Sequence, residues 1–208
     1  MAKAMPMFPL GTVLFPHASL PLHLFEPRYR ALAETCLRGD GRFGVVLIER
    51  GFEVGGGDTR FAVGTVARIV DAARTPDGRF LLATVGTERF RVRKWLDDGP
   101  FPRAEIDVLG EAKRVPPGAA ARRDDVQRLL GRVLAMSAEL GDPAAPVDAA
   151  LLDDDPVRAS FEAAARAPIG PFDAQRLLEL DDAGQRLEQL NTLLGDAAEV
   201  LELRLAGG

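Results

Sequence analysis

The sequence predicts an α+β fold, in which a partly closed β-barrel of about six strands with one helix precedes a C-terminal helical bundle. Residues 6–110 hold short apolar or alternating segments separated by glycine and proline, a pattern typical of small β-barrels. The composition changes at Val115–Gly118, and beyond it apolar residues recur at helical spacing. We therefore predict a barrel domain at 1–114, a linker at 115–118 and a helical bundle domain at 119–208.

The opening stretch, Pro6–Arg30, predicts two strands followed by a helix. The strands are Met7–Phe15 and Ser19–Phe25, and the helix begins at Pro27, a favourable first helical residue. Proline lacks a backbone donor and fixes φ, so it confines these strands to edges, strand starts or bulges. The prolines concerned are Pro9, Pro16 and Pro21. We expect the helix to bury one apolar face made of Tyr29, Leu32, Ala33, Cys36 and Leu37.

Three further strand regions follow in the first half of the chain. Phe43–Ile48 is nearly all apolar, as in a strand buried on both faces. Val63–Arg74 and Arg79–Trp95 are joined at Thr75–Gly78, where Pro-Asp-Gly predicts a tight hairpin with positive φ at the glycine. Arg103–Leu109 is another alternating strand.

Within Arg79–Trp95, apolar and basic residues alternate. Phe90 and Val92 would face the core, which predicts a solvent face carrying Arg89, Arg91 and Arg93. Together with Lys94 and Trp95 this face would make a basic stripe, and we favour a solvated strand face over an RNA contact.

The second half predicts a set of amphipathic helices. One helix has an apolar stripe and ends near Gly141–Pro143; its stripe is Val126, Leu129, Leu130, Val133, Leu134 and Leu140. Asp155 should cap the next helix, with Val157, Phe161, Ala164 and Ala165 facing inward, and Asp173 should cap a short one. The last helix, about Gly184–Leu205, repeats Leu187, Leu190, Leu194, Ala197 and Leu201. We favour packing within the bundle for that run, with a homodimer seam as the alternative.

The bulk composition indicates a soluble cytoplasmic protein. A net charge of −5 disfavours non-specific nucleic-acid binding, which depends on neutralising phosphates. Cys36 is the only cysteine, so no intrachain disulfide can form, and we interpret it as a buried core residue. The sequence has neither a signal peptide nor an apolar run long enough for a membrane helix.

No catalytic or metal-binding motif emerges, so we expect no enzyme activity and no cofactor. The P-loop lysine signature, the G-x-S-x-G elbow and a serine–lysine pair are missing from the sequence, and Gly55–Gly57 is interpreted as a loop. His17 and His23 lack companion ligands; we interpret His17 as an exposed turn residue and His23 as a strand residue. The run Asp153–Asp155 is interpreted as a solvated helix start.

The order and spacing of several segments resemble one known family. FPLGTVLFP, LPLHLFEPRYRAL, RFGVVLIER, VGTVARI, PDGRFLLATVGTERFRV, PRAEIDV and RLLELDDAGQRLEQLNTLL are together similar to the N-terminal, substrate-binding domain of Lon protease, in the style of stand-alone bacterial members. The resemblance implies a PUA-like pseudo-barrel of about six strands with one helix, followed by an α-helical bundle. It also implies a non-catalytic module that binds unfolded or extended polypeptides, with a full-length Lon-type protease as a further partner.

Candidate contacts for such a polypeptide are apolar residues of the opening stretch and one late loop: Phe8, Phe15, Leu22, Phe25, Tyr29 and Phe101. An unpaired barrel edge could also accept a strand. Glu26 and Arg28 either hold the entry of the first helix or stand at the rim of a groove, and we favour the former. The alternative function is RNA binding by a PUA-like barrel, which the net acidity opposes.

Overall fold

The structure is a computed structural model that describes residues 4–50, 59–97, 99–110, 117–142, 146 and 150–207. The chain divides into two compact units, Met1–Gly110 and Glu111–Gly208, and each is described by itself. Three features predicted from the sequence lie wholly or partly outside the described residues: the loop at Gly55–Gly57, Pro143 at a helix end, and the first half of the linker at 115–118.

The first unit is a closed β-barrel with one helix. Its elements are β1 (Ala4–Leu10), β2 (Ser19–Leu24), α1 (Pro27–Arg38), β3 (Arg42–Arg50), β4 (Thr59–Arg74), β5 (Phe80–Trp95) and β6 (Arg103–Val108). The strand order is β2-β5-β4-β3-β1-β6, and β5 also pairs with β6. That extra pairing closes a ring of five strands, and β2 extends β5 outside it. Among the strands that the structure describes, only the β1–β3 pair is parallel.

Two apolar clusters stabilise this unit, one on each face of the sheet. The smaller contains one fully buried residue from each strand of the ring: Met7, Val46, Val66, Phe90 and Ala104. The larger lies on the opposite face, where α1 adds Tyr29, Leu32, Ala33 and Cys36 to residues of β1 to β5. Burying both faces explains why β3 carries a continuous apolar run.

The predicted hairpin and helix are confirmed, with corrections at their edges. Gly78 takes φ +81° in the turn between β4 and β5, and its amide donates to the Thr75 carbonyl at 2.9 Å. Strand β1 ends at Leu10, five residues earlier than predicted, because the chain then turns away into a loop. Leu37 is 44% exposed, so its predicted place on the buried face of α1 is wrong.

The prediction that prolines confine the opening strands to edges, strand starts or bulges is confirmed for Pro21, because β2 is an edge strand. Strand β1 has a neighbouring strand on each side, but each neighbour pairs with a different part of β1. Ala4–Pro6 pairs with β6, while Met7–Leu10 pairs with β3. Each proline of β1 therefore needs only one ladder partner, which a residue without an N–H can tolerate.

The predicted solvent face of β5 is wrong at Arg89, which is 1% exposed. The register of β4 against β5 shifts between the pairs Ala67–Gly86 and Thr65–Arg89. This bulge inserts an extra residue and reverses the side-chain alternation of β5. Phe90 thereby enters the smaller cluster, while Arg89 faces the side that carries Leu82 and Thr84.

The described residues of the second unit form four α-helices: α2 (Ala119–Glu139), α3 (Pro156–Arg166), α4 (Pro171–Glu179) and α5 (Ala183–Ala206). Each buries one apolar stripe, and the Asp155 side chain accepts a hydrogen bond from the Val157 amide, as predicted for a cap. Arg186 of α5 is completely buried, although its residue type is rarely so. The sequence analysis did not single it out.

Several helix details differ from the predictions. Gly170 rather than Asp173 is the N-cap of α4, because the helix begins three residues earlier than an Asp173 cap implies, with Pro171 in its first turn. Ala165 is exposed on α3, and on α5 Ala198 is buried while Ala197 is only half-buried. A period of 3.6 residues lets the buried stripe drift by one position along a long helix.

Candidate functional site

A cleft of about 190 Å³ opens in the barrel unit between β1, β2 and the start of α1. Residues of three segments line it. They are Phe8, Pro9 and Leu10 from β1, Pro21, Leu22, His23 and Leu24 from β2, and Phe25, Glu26 and Tyr29 from the turn into α1 and its first turn. Most of the lining residues are apolar, with His23, Glu26 and Tyr29 as the polar members, which suits uncharged side chains better than an ionic ligand.

Two aromatic rings in tilted contact form the floor of this cleft. Phe8 and Tyr29 are both buried, with ring centroids 4.2 Å apart and planes inclined by 47°. The guanidinium carbon of Arg28 lies 4.4 Å from the Tyr29 ring centroid, and Arg28 Nε donates to Glu26 Oε2 at 3.1 Å. The Glu26–Arg28 pair therefore holds the entry of α1 and neutralises the carboxylate that the cleft would otherwise present.

The outer rim of the cleft is formed by an exposed aromatic residue. Phe25 is 55% exposed, directly after β2 and one residue before the N-cap of α1. Its ring meets that of His23 edge-on at 6.3 Å between centroids. An exposed phenyl ring beside an apolar cleft supplies the surface that an apolar partner side chain would cover.

The two strands bordering the cleft do not pair with each other. Strand β2 pairs with β5 alone, and Met7–Leu10 of β1 pairs with β3 alone, among the strands that the structure describes. Open strand edges display unused backbone donors and acceptors. Pro21 removes one donor from β2 and so limits how long an added strand can grow.

Four of the six candidate contact residues meet at this cleft. Phe8 and Tyr29 form its floor, and Leu22 and Phe25 its side and rim. Phe15 and Phe101 are 2% and 6% exposed and do not line it, so we assign both to the core. Glu26, considered from the sequence as a residue of helix entry or groove rim, also lines the cleft. Five lining residues were not considered as contacts from the sequence: Pro9, Leu10, Pro21, His23 and Leu24. Their only signal was adjacency to the aromatic candidates.

The remaining chemically interesting residues are structural where the structure describes them. His17 lies in an exposed turn with φ +67°, as predicted, and His23 is an exposed strand residue. Cys36 is buried as predicted, and burial raises the pKa of its thiol to about 12. Asp154 pairs with Arg123 at 2.7 Å while Asp155 caps α3.

In the described part of the chain, no three His, Cys, Asp or Glu side chains gather closely enough to hold a metal ion. The same part contains no helix that is both long and apolar enough to cross a membrane.

The predicted basic stripe on β5 is reduced by the fold. Arg89 is buried, and Arg93 forms a bidentate ion pair with Asp107 of β6. Arg60 lies over the Trp95 ring, 4.7 Å from its centroid. Arg91 and Lys94 remain exposed, and two cations make a weak footprint for a phosphate backbone.

In the described residues the fold is a small closed barrel followed by a unit of four helices, and comparison with known families identifies it. The family model for the ATP-dependent protease La (LON) substrate-binding domain matches residues 4–196. The match covers most of the chain, so the chain belongs to this family. The resemblance noted from its sequence motifs is therefore confirmed, as is the α+β fold.

The curated relatives are much longer than this chain. The chain is 30% identical over 210 residues to the Lon protease of Koribacter versatilis, an alignment that covers 98% of the chain and 25% of that protease. It is 28% identical to Lon protease 2 of Myxococcus xanthus, covering 97% of the chain and 24% of that protease. The chain thus spans about a quarter of the length of these relatives.

Two solved structures share the fold. One is the Lon N-terminal domain protein from Xanthomonas campestris, with a TM-score of 0.64, 29% identity, and coverage of 90% of this chain and 96% of that one. The other is the N-terminal domain of the Mycobacterium avium complex Lon protease, with a TM-score of 0.70, 18% identity, and coverage of 93% and 99%.

Proposed function

We propose that this chain is a polypeptide-binding module that uses the barrel cleft to hold apolar side chains of unfolded or extended segments. The observation that carries the proposal is the apolar cleft between two strand edges, with Phe25 exposed at its rim. Membership of a family described as substrate-binding supports the same reading.

The cleft favours short apolar segments without a fixed sequence. A cleft of about 190 Å³ admits one or two apolar side chains. Its lining of mainly proline, leucine and aromatic residues requires few hydrogen bonds of fixed direction from the bound side chain. The bound segment runs beside β2, where backbone hydrogen bonds to the open edge add affinity that is independent of sequence. Such recognition suits unfolded chains, which expose apolar residues and unpaired backbone together.

We further propose that the chain binds without breaking or forming covalent bonds itself. No catalytic motif was found in its sequence, and the lining of the cleft offers no nucleophile next to a base. A bound polypeptide would then be passed to another protein, and the family points to a Lon-type protease as that partner.

RNA binding, the alternative function, has less support. It would depend on the basic stripe of β5, in which Arg89 is buried and Arg93 is paired with Asp107. Arg91→Glu is the variant that separates the two functions, because it reverses one of the exposed cations of the stripe without touching the cleft.

The deciding experiment measures binding of a fluorescent, reduced casein-like chain to the purified protein across a range of salt concentrations. We expect binding to persist at high salt, since apolar contacts are not screened. Phe25→Ala should weaken it about tenfold, the effect of a rim aromatic worth roughly 1–2 kcal/mol.

The matched control is Phe172→Ala. Phe172 is also 55% exposed, but it lies on α4 in the helical unit. Equal loss of binding in both variants would mean that the casein-like chain adheres to any exposed aromatic residue, and the proposal would fail. It would fail as well if only RNA bound, in a salt-sensitive manner that Arg91→Glu abolished.

A further inference from the structure

A second cleft, of about 530 Å³, lies within the helical unit. It is formed by the end of α2, the segment leading into α4, and one side of α5. Its volume falls inside the range of roughly 300–1,000 Å³ that is usual for ligand sites. Because all its walls come from one compact unit, the cleft does not depend on how the two units are arranged.

Helix α5 has a second stripe that its own core does not use. The buried stripe is Leu187, Leu190, Leu194, Ala198 and Leu201. The cleft is lined by Leu201 of this stripe and by five further residues of α5, Leu193, Asp196, Ala197, Val200 and Arg204. These five recur at three- and four-residue spacing and therefore share one side of the helix. Val200 is 57% exposed there. This stripe has the residue spacing of helix-in-groove recognition.

The charged side chains that line this cleft are mostly negative. Three carboxylates line the cleft, from Asp142, Asp173 and Asp196, against the single guanidinium of Arg204. Arg204 is already engaged: its Nη2 donates to Asp142 Oδ1 at 3.1 Å, and Nη1 contacts the other carboxylate oxygen. This pairing keeps the pKa of the Asp142 carboxyl below its usual value.

No cation in the lining of the cleft pairs with the other two carboxylates. Asp173 contacts Arg176 at 3.4 Å, but Arg176 is largely exposed and stands outside the cleft. Asp196 is exposed and forms no ion pair with any residue that the structure describes. The end of α2 adds the partial negative charge of a helix C-terminus near Ser137. The start of α4 carries the opposite partial charge, which Asp173 in its first turn offsets.

From this combination we infer that the helical cleft is a second binding site, for an amphipathic peptide segment that carries a lysine or arginine beside apolar side chains. The apolar residues of the segment cover Leu193, Ala197 and Val200, and its cation lies between Asp173 and Asp196. The site differs in chemistry from the barrel cleft, whose one lining carboxylate, Glu26, is paired with Arg28, so the two sites select different segments. An acidic segment with the same apolar residues does not bind, because its carboxylates are repelled by those of Asp173 and Asp196.

The test uses two labelled helical peptides built from leucine, alanine and either lysine or glutamate, with binding followed by fluorescence anisotropy. We expect the lysine peptide to bind the wild-type chain and the glutamate peptide not to bind. Asp196→Lys should weaken the lysine peptide about five- to tenfold, the effect of reversing one exposed charge at a rim. Ala197→Phe, which fills the cleft from its apolar side, should weaken it at least as much.

The control for charge is Glu199→Lys, which makes the same charge change at an exposed position of α5 outside the cleft. Equal weakening by Asp196→Lys and Glu199→Lys would show only general attraction to an acidic protein and would overturn the inference. So would unchanged binding in Ala197→Phe. Phe25→Asp separates the two sites: if it abolished binding of the lysine peptide, the peptide would belong to the barrel cleft and not to this one.

Discussion

The guanidinium carbon of Arg186 lies 3.8 Å from the ring centroid of Phe161, inside the helical unit. Arg186 also donates to the Leu177 and Leu180 carbonyls at 3.3 and 2.7 Å, and to Ser160 Oγ at 2.7 Å. A buried cation is tolerated when its donors are satisfied and a ring face lies against it. This one side chain therefore connects α3, the end of α4 and α5.

We expect Arg186→Met to destabilise the helical unit by roughly 3 kcal/mol or more, because it leaves buried oxygen acceptors without a donor. Chemical denaturation followed by circular dichroism at the helix band measures the change. Arg176→Met serves as the control, since Arg176 is largely exposed, and its effect should stay within about 0.5 kcal/mol. A similar small effect for Arg186→Met would show that the buried network contributes little.

In the barrel unit, Gly64→Ala should be strongly destabilising. A Cβ at Gly64 would lie 2.2 Å from the Val45 carbonyl oxygen and 2.8 Å from the Phe90 ring, and backbone cannot move aside cheaply. We expect a loss of roughly 1–3 kcal/mol or more, read from the denaturation midpoint by fluorescence of Trp95, the only tryptophan.

The matched change is Gly195→Ala in α5, where a Cβ meets nothing within 4 Å. Alanine should there stabilise the helix by up to about 1 kcal/mol. If both substitutions proved neutral, close packing around Gly64 would not be what holds β3 against β4.

The thiol of Cys36 predicts a pH dependence. Burial raises its pKa from 9.0 to about 12, with a smaller contribution of the same sign from Asp40. The folded state therefore keeps the proton after the unfolded chain has lost it. The stability that the neutral thiol contributes is complete below pH 9.0 and is lost as the pH rises towards about 12.

Denaturation of the wild type and of Cys36→Ala across this alkaline window measures that loss. The wild type should lose more stability than Cys36→Ala, whereas parallel curves would argue against a buried neutral thiol. The native thiol should also resist an aromatic disulfide reagent near pH 8 until the chain is unfolded.

Two aspartates with similar sequence contexts should differ in their contribution to stability. Asp155 accepts a hydrogen bond from the Val157 amide at 3.1 Å, and Asp155→Ala should cost about 1 kcal/mol. Asp173 lies inside α4 rather than at its N-cap. Asp173→Ala should therefore lower the free energy of unfolding by less, because it removes only the interaction of the carboxylate with the helix dipole. Thermal denaturation of the two variants gives the comparison, and the reverse ranking would contradict the cap assignment.

Much of the fold could be read from local chemistry. The apolar run of β3, the Pro-Asp-Gly turn with Gly78, and the Asp155 cap each depend on a few neighbouring residues, and all were predicted. The candidate site was predicted only in part. Aromatic residues of the opening stretch indicated the region, but apolar side chains look alike in sequence whether they line a cleft, as Phe25 does, or fill a core, as Phe15 and Phe101 do.

By itself, the sequence determined the class of fold, the order of its elements and the family, because these follow from periodicity, turn residues and the spacing of motifs. Only the tertiary structure decided which faces are covered. The β5 bulge that buries Arg89, the network that buries Arg186, and the two clefts all depend on residues far apart in the chain. Burial is set by what a distant segment places against a side chain, and no local pattern carries that information.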